Sequence, residues 1–199
     1  MKKFNWYMIS TVSGKESVVI EALTNRIIAE EVSDDFDYSA TENGPFKIFT
    51  RPTLTPKEAE KKRLGENYKI KHVNLYPGYI FTKSHMSDKA WFVIRNTQYV
   101  TGLVGSAGKG AKPTPINERQ IRRSLSIEEQ AKKDFEDGKF SIDFKPGDLV
   151  EVIEGPYQGE TGVVFELNDG GKNVTIEIES FGKKVHVTLD SEHVQLSDL

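Results

Sequence analysis

The stretch that decides the fold of the C-terminal part runs from residue 147 to residue 164 and reads GDLVEVIEGPYQGETGVV. It begins with an apolar-rich segment, continues through a Gly-Pro-aromatic turn and ends in a second apolar segment. Gly155, Gly159 and Gly162 either adopt positive φ or allow two backbones to approach closely, and Pro156 favours a turn. The pattern predicts a tight β-hairpin.

The residues after this hairpin alternate with period two, which predicts three further half-buried antiparallel strands. The apolar residues expected on the core face are Val163, Phe165, Leu167, Val174, Ile176, Ile178, Val185, Val187 and Leu189. The residues expected on the opposite, wet face are Thr175, Glu177, Glu179, His186 and Thr188. Short turn sequences at 168–171 and 181–183 join the strands. We therefore expect five short strands curled into a barrel of about 55 residues, near the lower size limit for independent folding.

Charge divides the 199-residue chain into two parts. Residues 1–140 contain 23 Lys and Arg against 18 Asp and Glu, a balance of +5, whereas residues 141–199 contain 4 against 12, a balance of −8. This asymmetry favours two small domains over one large domain. Since nonspecific nucleic-acid affinity comes from Lys and Arg, the acidic barrel is expected to bind proteins.

The composition argues against an enzyme. There is no cysteine, which excludes disulfides, thiol nucleophiles and thiolate metal ligands. The glycine-rich residues 102–110 have Leu103 in place of the first glycine of a phosphate-binding loop and Gly110 in place of its Ser or Thr. The four histidines lack metal-ligand spacing; they are His72, His85, His186 and His193. We expect no catalytic residue, no metal and no cofactor.

The sequence gives no indication of a membrane protein. No apolar run approaches the roughly 20 residues that a membrane-spanning helix requires. The basic N-terminal residues soon give way to polar ones, so the short apolar stretch that follows predicts a strand and not a signal peptide. We expect a cytoplasmic monomer without a membrane partner.

The N-terminal half alternates strands and helices. Strands are predicted at 6–12, 78–82 and 99–104, and helices after a Ser13–Glu16 capping box and over 87–95 with Ser87 as N-cap. The first helix has an apolar face; its members are Val19, Ile20, Leu23 and Ile27. The order predicts an α+β domain with helices on one face of an antiparallel sheet.

Several ordered motifs in this half resemble the NusG family of transcription elongation factors, and the C-terminal hairpin resembles a KOW module. The matching pieces are Trp6-Tyr7, Ser13-Gly14, Tyr76-Pro77-Gly78-Tyr79, Trp91, Val93-Ile94-Arg95-Asn96-Thr97 and Val100-Thr101-Gly102-Leu103-Val104-Gly105. The resemblance implies a ferredoxin-like NGN domain over 1–116, a helical and flexible linker over 117–141, and an SH3-like KOW barrel over 142–199.

The resemblance also implies a partner for the first domain. NusG-like factors sit on the clamp of the largest subunit of RNA polymerase, across the DNA channel, and modulate elongation, pausing, termination and antitermination. The residues implied in this contact are Trp6, Tyr76, Pro77, Gly78 and Tyr79. Aromatic side chains supply interface area at low entropic cost. The alternative for Trp6 and Tyr79 is a place in the core, where Trp91 is expected.

Asn96 and Thr97 are implied by the resemblance to face the non-template DNA strand. Asn and Thr can bond base edges, which single strands leave free. Arg95 and Lys109 are candidates for contacts with phosphates. The alternative is an ordinary helix C-terminus, in which Asn96 adopts a left-handed conformation.

The segment from 34 to 73 departs from the family pattern, and an insertion is expected at about 41–73. Thr55-Pro56-Lys57-Glu58 predicts a capped helix start and Gly65 a helix end. The segment is basic, which places it near upstream DNA or ribosomal RNA; the alternative is a solvated charged face.

Residues 117–136 predict a helix with too few apolar residues, Ile121, Leu125 and Ile127, to bury a face firmly. A flexible boundary is expected over 131–142. Such a tether would let the barrel search for partners while the first domain stays bound.

For the barrel, the resemblance implies contacts with a small-subunit ribosomal protein and with termination factor Rho. Phe181 is the principal candidate by position, with Ile153, Tyr157 and Phe165 around it. Phe165 shares its phase with core residues, so a core position is its alternative. The alternative for the whole chain is a ribosome-associated KOW protein that binds RNA, a class that is usually strongly basic.

Overall fold

The computed structural model describes residues 2–106, 110–139, 141–180 and 182–197. Contacts between Cα atoms divide the chain into two compact units. The first comprises Met1–Thr50 and Asn74–Glu128, and the second comprises Arg51–Val73 and Glu129–Leu199. The chain therefore passes from one unit to the other three times. The boundaries 1–116, 117–141 and 142–199 stay predictions.

In chain order the helices and strands are β1 (Asn5–Thr11), α1 (Glu16–Ala29), β2 (Phe46–Lys47), β3 (Thr50–Thr53), α2 (Pro56–Arg63), β4 (Lys71–Asn74), β5 (Tyr79–Ser84), α3 (Asp88–Arg95), β6 (Val100–Leu103), α4 (Glu118–Glu136), β7 (Leu149–Val152), β8 (Thr161–Asn168), β9 (Asn173–Ser180), β10 (Lys183–Asp190) and β11 (Val194–Leu196). Helices and antiparallel sheets together confirm the predicted α+β class.

The first unit is built on an antiparallel sheet in the order β2-β5-β1-β6. Helices α1 and α3 share a hydrophobic core with one face of this sheet. Val19, Leu23 and Ile27 of α1 are fully buried there and Ile20 is partly buried, which confirms the predicted apolar face. Trp91 is partly buried against the same core.

The predicted capping box at the start of α1 is wrong. The N-cap is Lys15, and no side chain caps the helix there. Glu16 instead accepts hydrogen bonds from the Gly78 N–H, at 2.6 Å, and from the Asn74 amide, at 3.4 Å. The Glu16 carboxylate bonds the loop at Gly78 and not the start of its own helix, because the Gly78 N–H is not used in strand pairing.

Two other predicted helix starts are confirmed. The Thr55 hydroxyl accepts a bond from the Glu58 N–H at the start of α2, and the Ser87 hydroxyl accepts one from the Ala90 N–H at the start of α3. Gly65, with φ +73°, follows the end of α2 as expected. Local capping chemistry therefore placed both helices.

Helix α4 buries more of its surface than its few apolar residues suggested. Ile121 is 4% exposed, and Ser124 and Glu128, one and two turns further on, are also buried, whereas Leu125 and Ile127 are exposed. Glu128 accepts hydrogen bonds from the Thr50 N–H at 2.8 Å and from Lys47 Nζ at 2.7 Å. The buried stripe was missed because two of its members are polar.

The second unit contains the predicted five-stranded antiparallel sheet, in the order β10-β9-β8-β7-β11. Val174, Ile176 and Ile178 of β9 are buried in its core, as predicted. Glu179, His186 and Thr188 are exposed as expected, whereas Thr175 is buried and accepts a hydrogen bond from the Asn168 amide at 3.0 Å.

The predicted phase of β8 is wrong. Val164 is 2% exposed, whereas Val163 and Phe165 are 41% and 53% exposed. The register between β8 and β9 shifts between Val164 and Glu166, so an extra residue turns Phe165 outward and returns Leu167 to the core. Val185, also expected inside, is exposed as well.

The glycines of the hairpin behave as predicted. Gly155 and Gly159 have φ of +98° and +86°. Gly162 lies so close to β9 that an added Cβ would be 2.6 Å from the Glu177 carbonyl oxygen. Only glycine fits there without displacing a neighbouring strand.

Candidate functional site

The strands β1 and β5 present a second apolar face, opposite to helices α1 and α3. Side chains alternate across a strand, so Tyr7 and Ile9 enter the helix-covered core while Trp6 and Met8 lie on the other side. We call this second side the aromatic face; its members are Trp6, Met8, Phe49, Leu75, Tyr76, Phe81, Ile116 and Ile121. Two of the three aromatics predicted to bind polymerase, Trp6 and Tyr76, belong to it, whereas Tyr79 does not.

Three rings form the centre of the aromatic face. Phe49 and Phe81 stand edge to face with centroids 4.8 Å apart, and Tyr76 lies 5.4 Å from Phe81 and 6.0 Å from Phe49. The Tyr76 hydroxyl is hydrogen-bonded to the Ser124 hydroxyl at 2.8 Å. The edge-to-face contacts and this bond fix the Tyr76 ring in place.

An open groove of about 500 Å3 runs along the aromatic face. Its apolar lining is Met8, Tyr76, Phe81, Val104, Ile116 and Ile127. The polar side chains of Gln120, Arg123 and Ser124 border it. A groove with an apolar floor and a polar edge can accept an amphipathic helix or a similar apolar segment of another protein.

The loop that carries Tyr76, Pro77 and Gly78 is held by buried polar contacts. Asn74 Oδ1 accepts a bond from the Tyr76 N–H at 2.8 Å, and Glu16 accepts one from the Gly78 N–H. Gly78 has φ +82°, and a Cβ there would be 3.3 Å from the Thr11 carbonyl oxygen. The loop therefore depends on glycine at this position.

The Glu16 carboxylate is the electrostatic centre of this loop. Burial raises the pKa of the Glu16 carboxyl, but hydrogen bonds from the N–H groups of Gly78, Glu16 and Gly14 and from the Asn74 amide lower the pKa by more. The net pKa is below the ordinary value, so Glu16 is ionised at neutral pH and stabilises the loop as a charged acceptor.

The five predicted polymerase-binding residues differ in exposure. Pro77 and Tyr79 are exposed, Trp6 and Tyr76 are half-buried, and Gly78 is buried. Trp6 also accepts a backbone bond from the Ile116 N–H at 2.8 Å, so it has a structural role as well.

The predicted DNA-contacting residues lie at the C-terminal end of α3. Asn96 is exposed and caps the C-terminal end of α3 with φ −96°, so it does not have the left-handed conformation of the alternative, and its amide donates to the Phe92 carbonyl at 2.8 Å. Thr97 is buried, with its hydroxyl donating to the Val93 carbonyl at 2.7 Å. Arg95 is exposed, with its guanidinium 5.2 Å from the Trp91 ring centroid. Lys109 lies outside the described residues.

A side chain from α1, Arg26, reaches the C-terminal end of α3. Arg26 Nη1 donates to the Asn96 carbonyl at 2.6 Å and to the Thr97 hydroxyl at 3.4 Å. The sequence pattern gave no indication of the contact made by Arg26 and predicted a capping role for Glu16, because each side chain acts on residues about 60 to 70 positions away.

The candidate contact residues of the second unit lie on its sheet and its hairpin turn. Ile153 is half-buried and Tyr157 is exposed. The exposed Phe165 ring stacks on the His186 ring, with centroids 4.3 Å apart. His186 in turn lies 3.4 Å from Glu177, which also pairs with Lys184 at 2.7 Å. Phe181 lies outside the described residues.

Neither unit shows a chemical centre of another kind in the part of the chain that the structure describes. No group of three or more His, Asp or Glu side chains there is placed to hold a metal ion. Among the same residues, no helix is both long enough and apolar enough to span a bilayer.

We predict that Glu16→Gln destabilises the first unit at neutral pH by about 1–2 kcal/mol, because a neutral amide accepts the Gly78 N–H less strongly. The folded-state pKa is lowered, so the contribution is present above the unfolded pKa of about 4.3 and is lost as the pH falls through the folded-state pKa. Urea unfolding followed by tryptophan fluorescence measures this, since both tryptophans, Trp6 and Trp91, lie in the first unit.

The exposed Glu21 of the same helix supplies the control, Glu21→Gln. The role assigned to Glu16 is contradicted if Glu16→Gln and Glu21→Gln have equal effects at pH 7, or if the Glu16→Gln deficit persists unchanged at pH 3.

Known protein families match residues in both units of the chain. The family model described as "Transcription termination factor nusG" matches residues 4–125, and the KOW motif matches residues 146–179. The transcription termination/antitermination protein NusG of Bacillus subtilis is 32% identical over 189 residues, which cover 94% of each chain. The protein of the same name from Halalkalibacterium halodurans is 31% identical and covers 96% of this chain and 97% of its own.

A solved structure titled "Domain interaction in Thermotoga maritima NusG" is 26% identical, with a TM-score of 0.46, and covers 98% of this chain and 97% of its own. The matched family consists of transcription factors and not of enzymes, which confirms the expectation of no catalysis. The chain belongs to the NusG family of transcription termination/antitermination proteins.

Proposed function

We propose that the chain is an elongation factor that binds the clamp of RNA polymerase across the DNA channel and modulates elongation, pausing, termination and antitermination. The observation that carries this proposal is the open groove on the aromatic face of the first unit. A domain that leaves an apolar groove open on its surface has a surface suited to a protein partner. Such a factor acts as a cytoplasmic monomer on transcribed DNA.

Within this surface the residues have separate roles. Trp6 and Tyr76 pack against the cluster that contains Phe49 and Phe81, and Tyr76 lines the groove. Pro77 and Tyr79 are exposed and are the proposed contact residues, and Gly78 gives the loop its conformation. Truncating Trp6 or Tyr76 would disturb the fold as well as the contact, so the exposed residues give the sharper test.

Tyr79→Ala is expected to weaken binding of the full chain to purified core RNA polymerase about tenfold or more, because it removes an exposed aromatic anchor. Tyr38→Ala is the matched control, since Tyr38 is an exposed tyrosine of the same unit that belongs neither to the aromatic face nor to the groove lining. Equal affinities of the two variants would contradict the proposed contact. Binding by fluorescence anisotropy with labelled chain measures both.

For the DNA contact, the different exposure of the residues at the C-terminal end of α3 supports separate roles for them. Asn96 and Arg95 are exposed and can reach a strand, whereas Thr97 is buried and holds the helix end together with Arg26. The proposed contact is with the non-template strand, where Asn96 bonds a base edge and Arg95 and Lys109 bind phosphates.

Asn96→Ala is expected to lower the affinity for an elongation complex with an unpaired non-template strand about threefold to tenfold, the loss of one or two hydrogen bonds. The affinity for a complex lacking that strand should not change. Asn43→Ala, at another exposed Asn of the first unit, is the control. The DNA contact is refuted if Asn96→Ala lowers both affinities alike.

The second unit is proposed to recruit a further partner, either Rho or a protein of the small ribosomal subunit. Its exposed aromatics, Tyr157 and Phe165, support this role together with the half-buried Ile153, and Phe181 is the fourth candidate. The acidic charge of residues 141–199 favours a protein over RNA as the partner. It therefore gives no support to the alternative of an RNA-coating ribosomal protein.

We expect Phe165→Ala to reduce binding of the full chain to purified small ribosomal subunits or to Rho about tenfold while leaving polymerase binding intact. Phe92→Ala, which removes an exposed phenylalanine from the first unit, is the control. If Phe165→Ala binds both partners as tightly as Phe92→Ala does, the barrel contact lies elsewhere. Strongly salt-dependent binding to naked ribosomal RNA would instead favour the ribosomal alternative.

A further inference from the structure

The segment Arg51–Val73, which we call the insertion, belongs by its contacts to the second unit although its sequence interrupts the first. It comprises most of β3, all of α2 and most of β4. A solvated excursion would make few contacts with the barrel strands. The insertion instead makes three kinds of contact with residues 141–199.

The first kind is backbone pairing with the segment that leads into the barrel. The Leu54 N–H donates to the Ser141 carbonyl at 3.3 Å, and the Asp143 N–H donates to the Leu54 carbonyl at 2.7 Å. These bonds form a parallel bridge between Leu54 and Ile142. The Thr53 hydroxyl adds a buried bond to the Ser141 carbonyl at 2.7 Å.

The Ile142 backbone is in turn fixed to the barrel on its other side. The Ile142 N–H donates to the Ser191 hydroxyl at 3.4 Å, and a Cβ on Gly171 would lie 3.3 Å from the Ile142 carbonyl oxygen. The bridging segment is therefore held between the insertion and the barrel turns.

The second kind of contact is apolar. Leu54 is fully buried and Ala59 is 7% exposed, in one cluster with core side chains of the barrel. The barrel members of this cluster include Ile142, Phe144, Val150, Val152 and Val194. Leu54 thus completes the barrel core from outside the barrel sequence.

The third kind of contact is electrostatic. The insertion contains seven Lys and Arg against three Asp and Glu, whereas residues 141–199 have a balance of −8. Lys71 forms an ion pair with Asp143, and Arg63 donates to Gln195 Oε1 at 2.7 Å. Burial lowers the pKa of Lys62, and the charge of Glu192 partly offsets this. Lys62 and Lys71 therefore interact with acidic residues of the 141–199 segment.

We propose that the insertion is a built-in binding partner of the barrel, anchored by Leu54 and oriented by its basic residues, so that the functional C-terminal module is the insertion together with the barrel. The barrel surface around Ile142 and Asp143 fits a basic segment with one apolar anchor, and the insertion occupies it. An external partner of the barrel is left with other surfaces, such as the exposed Leu149, Val163 and Phe165.

Hydrogen exchange of the full-length chain, followed by mass spectrometry, tests this proposal. Peptides covering 51–59 and 141–144 should be protected together, at a level close to that of β9. Lys71→Glu and Asp143→Lys should each speed exchange in both peptides about twofold to fivefold, the range of one partly exposed ion pair. The double variant Lys71→Glu/Asp143→Lys, with the charges exchanged, should restore slow exchange.

Two further variants complete the design. Lys57→Glu makes the same charge change at an exposed residue of α2 and should leave exchange at 141–144 unchanged. Leu54→Ala should speed exchange in the barrel strands by more than tenfold, because it opens a cavity in their core. The proposal is overturned if the insertion exchanges rapidly while the barrel stays protected, if the double variant does not restore protection, or if Leu54→Ala leaves the barrel strands unaffected.

Discussion

The sheet of the first unit is apolar on both faces, and only one face is covered by helices α1 and α3. Period-two alternation forces this, because neighbouring residues of β1 and β5 must point to opposite sides. The second face needs its own cover, which Phe49, Tyr76 and Ile121 supply only in part. What they leave open is the groove for which we propose polymerase binding, so the groove is a direct result of the way the sheet is built.

Buried carboxylates hold the borders of that surface. Glu16 receives the Gly78 N–H and fixes the loop at one edge, while Glu128 receives the Thr50 N–H and Lys47 and fixes helix α4 at another. A buried charge that lacked partners would be costly, but each of these carboxylates accepts hydrogen bonds. The polar contacts thus position apolar side chains that could not specify one arrangement by themselves.

The five-stranded sheet of the second unit belongs to the acidic residues 141–199, and its core is completed by the insertion, a segment from elsewhere in the chain. Its excess of negative charge would oppose compaction, and the basic insertion lies against it. A barrel this small has few residues to bury, so one fully buried leucine from outside is a substantial addition. Because the insertion is basic and the barrel is acidic, the insertion taken alone predicts a nucleic-acid partner whereas the barrel taken alone predicts a protein partner.

The sequence by itself determined the features that depend on near neighbours. These include the caps of α2 and α3, the apolar face of α1, the buried residues of β9 and the glycine turn before β8. Tertiary structure decided the features that depend on distant residues or on one extra residue. The bulge places Phe165 on the outer face of the sheet. The Glu16 carboxylate accepts the Gly78 N–H instead of capping its own helix, and Leu54 is buried in the barrel core. Local periodicity predicts which side chains are buried. It does not predict the partner of each buried group, because that partner lies on a remote segment that only the folded chain brings close.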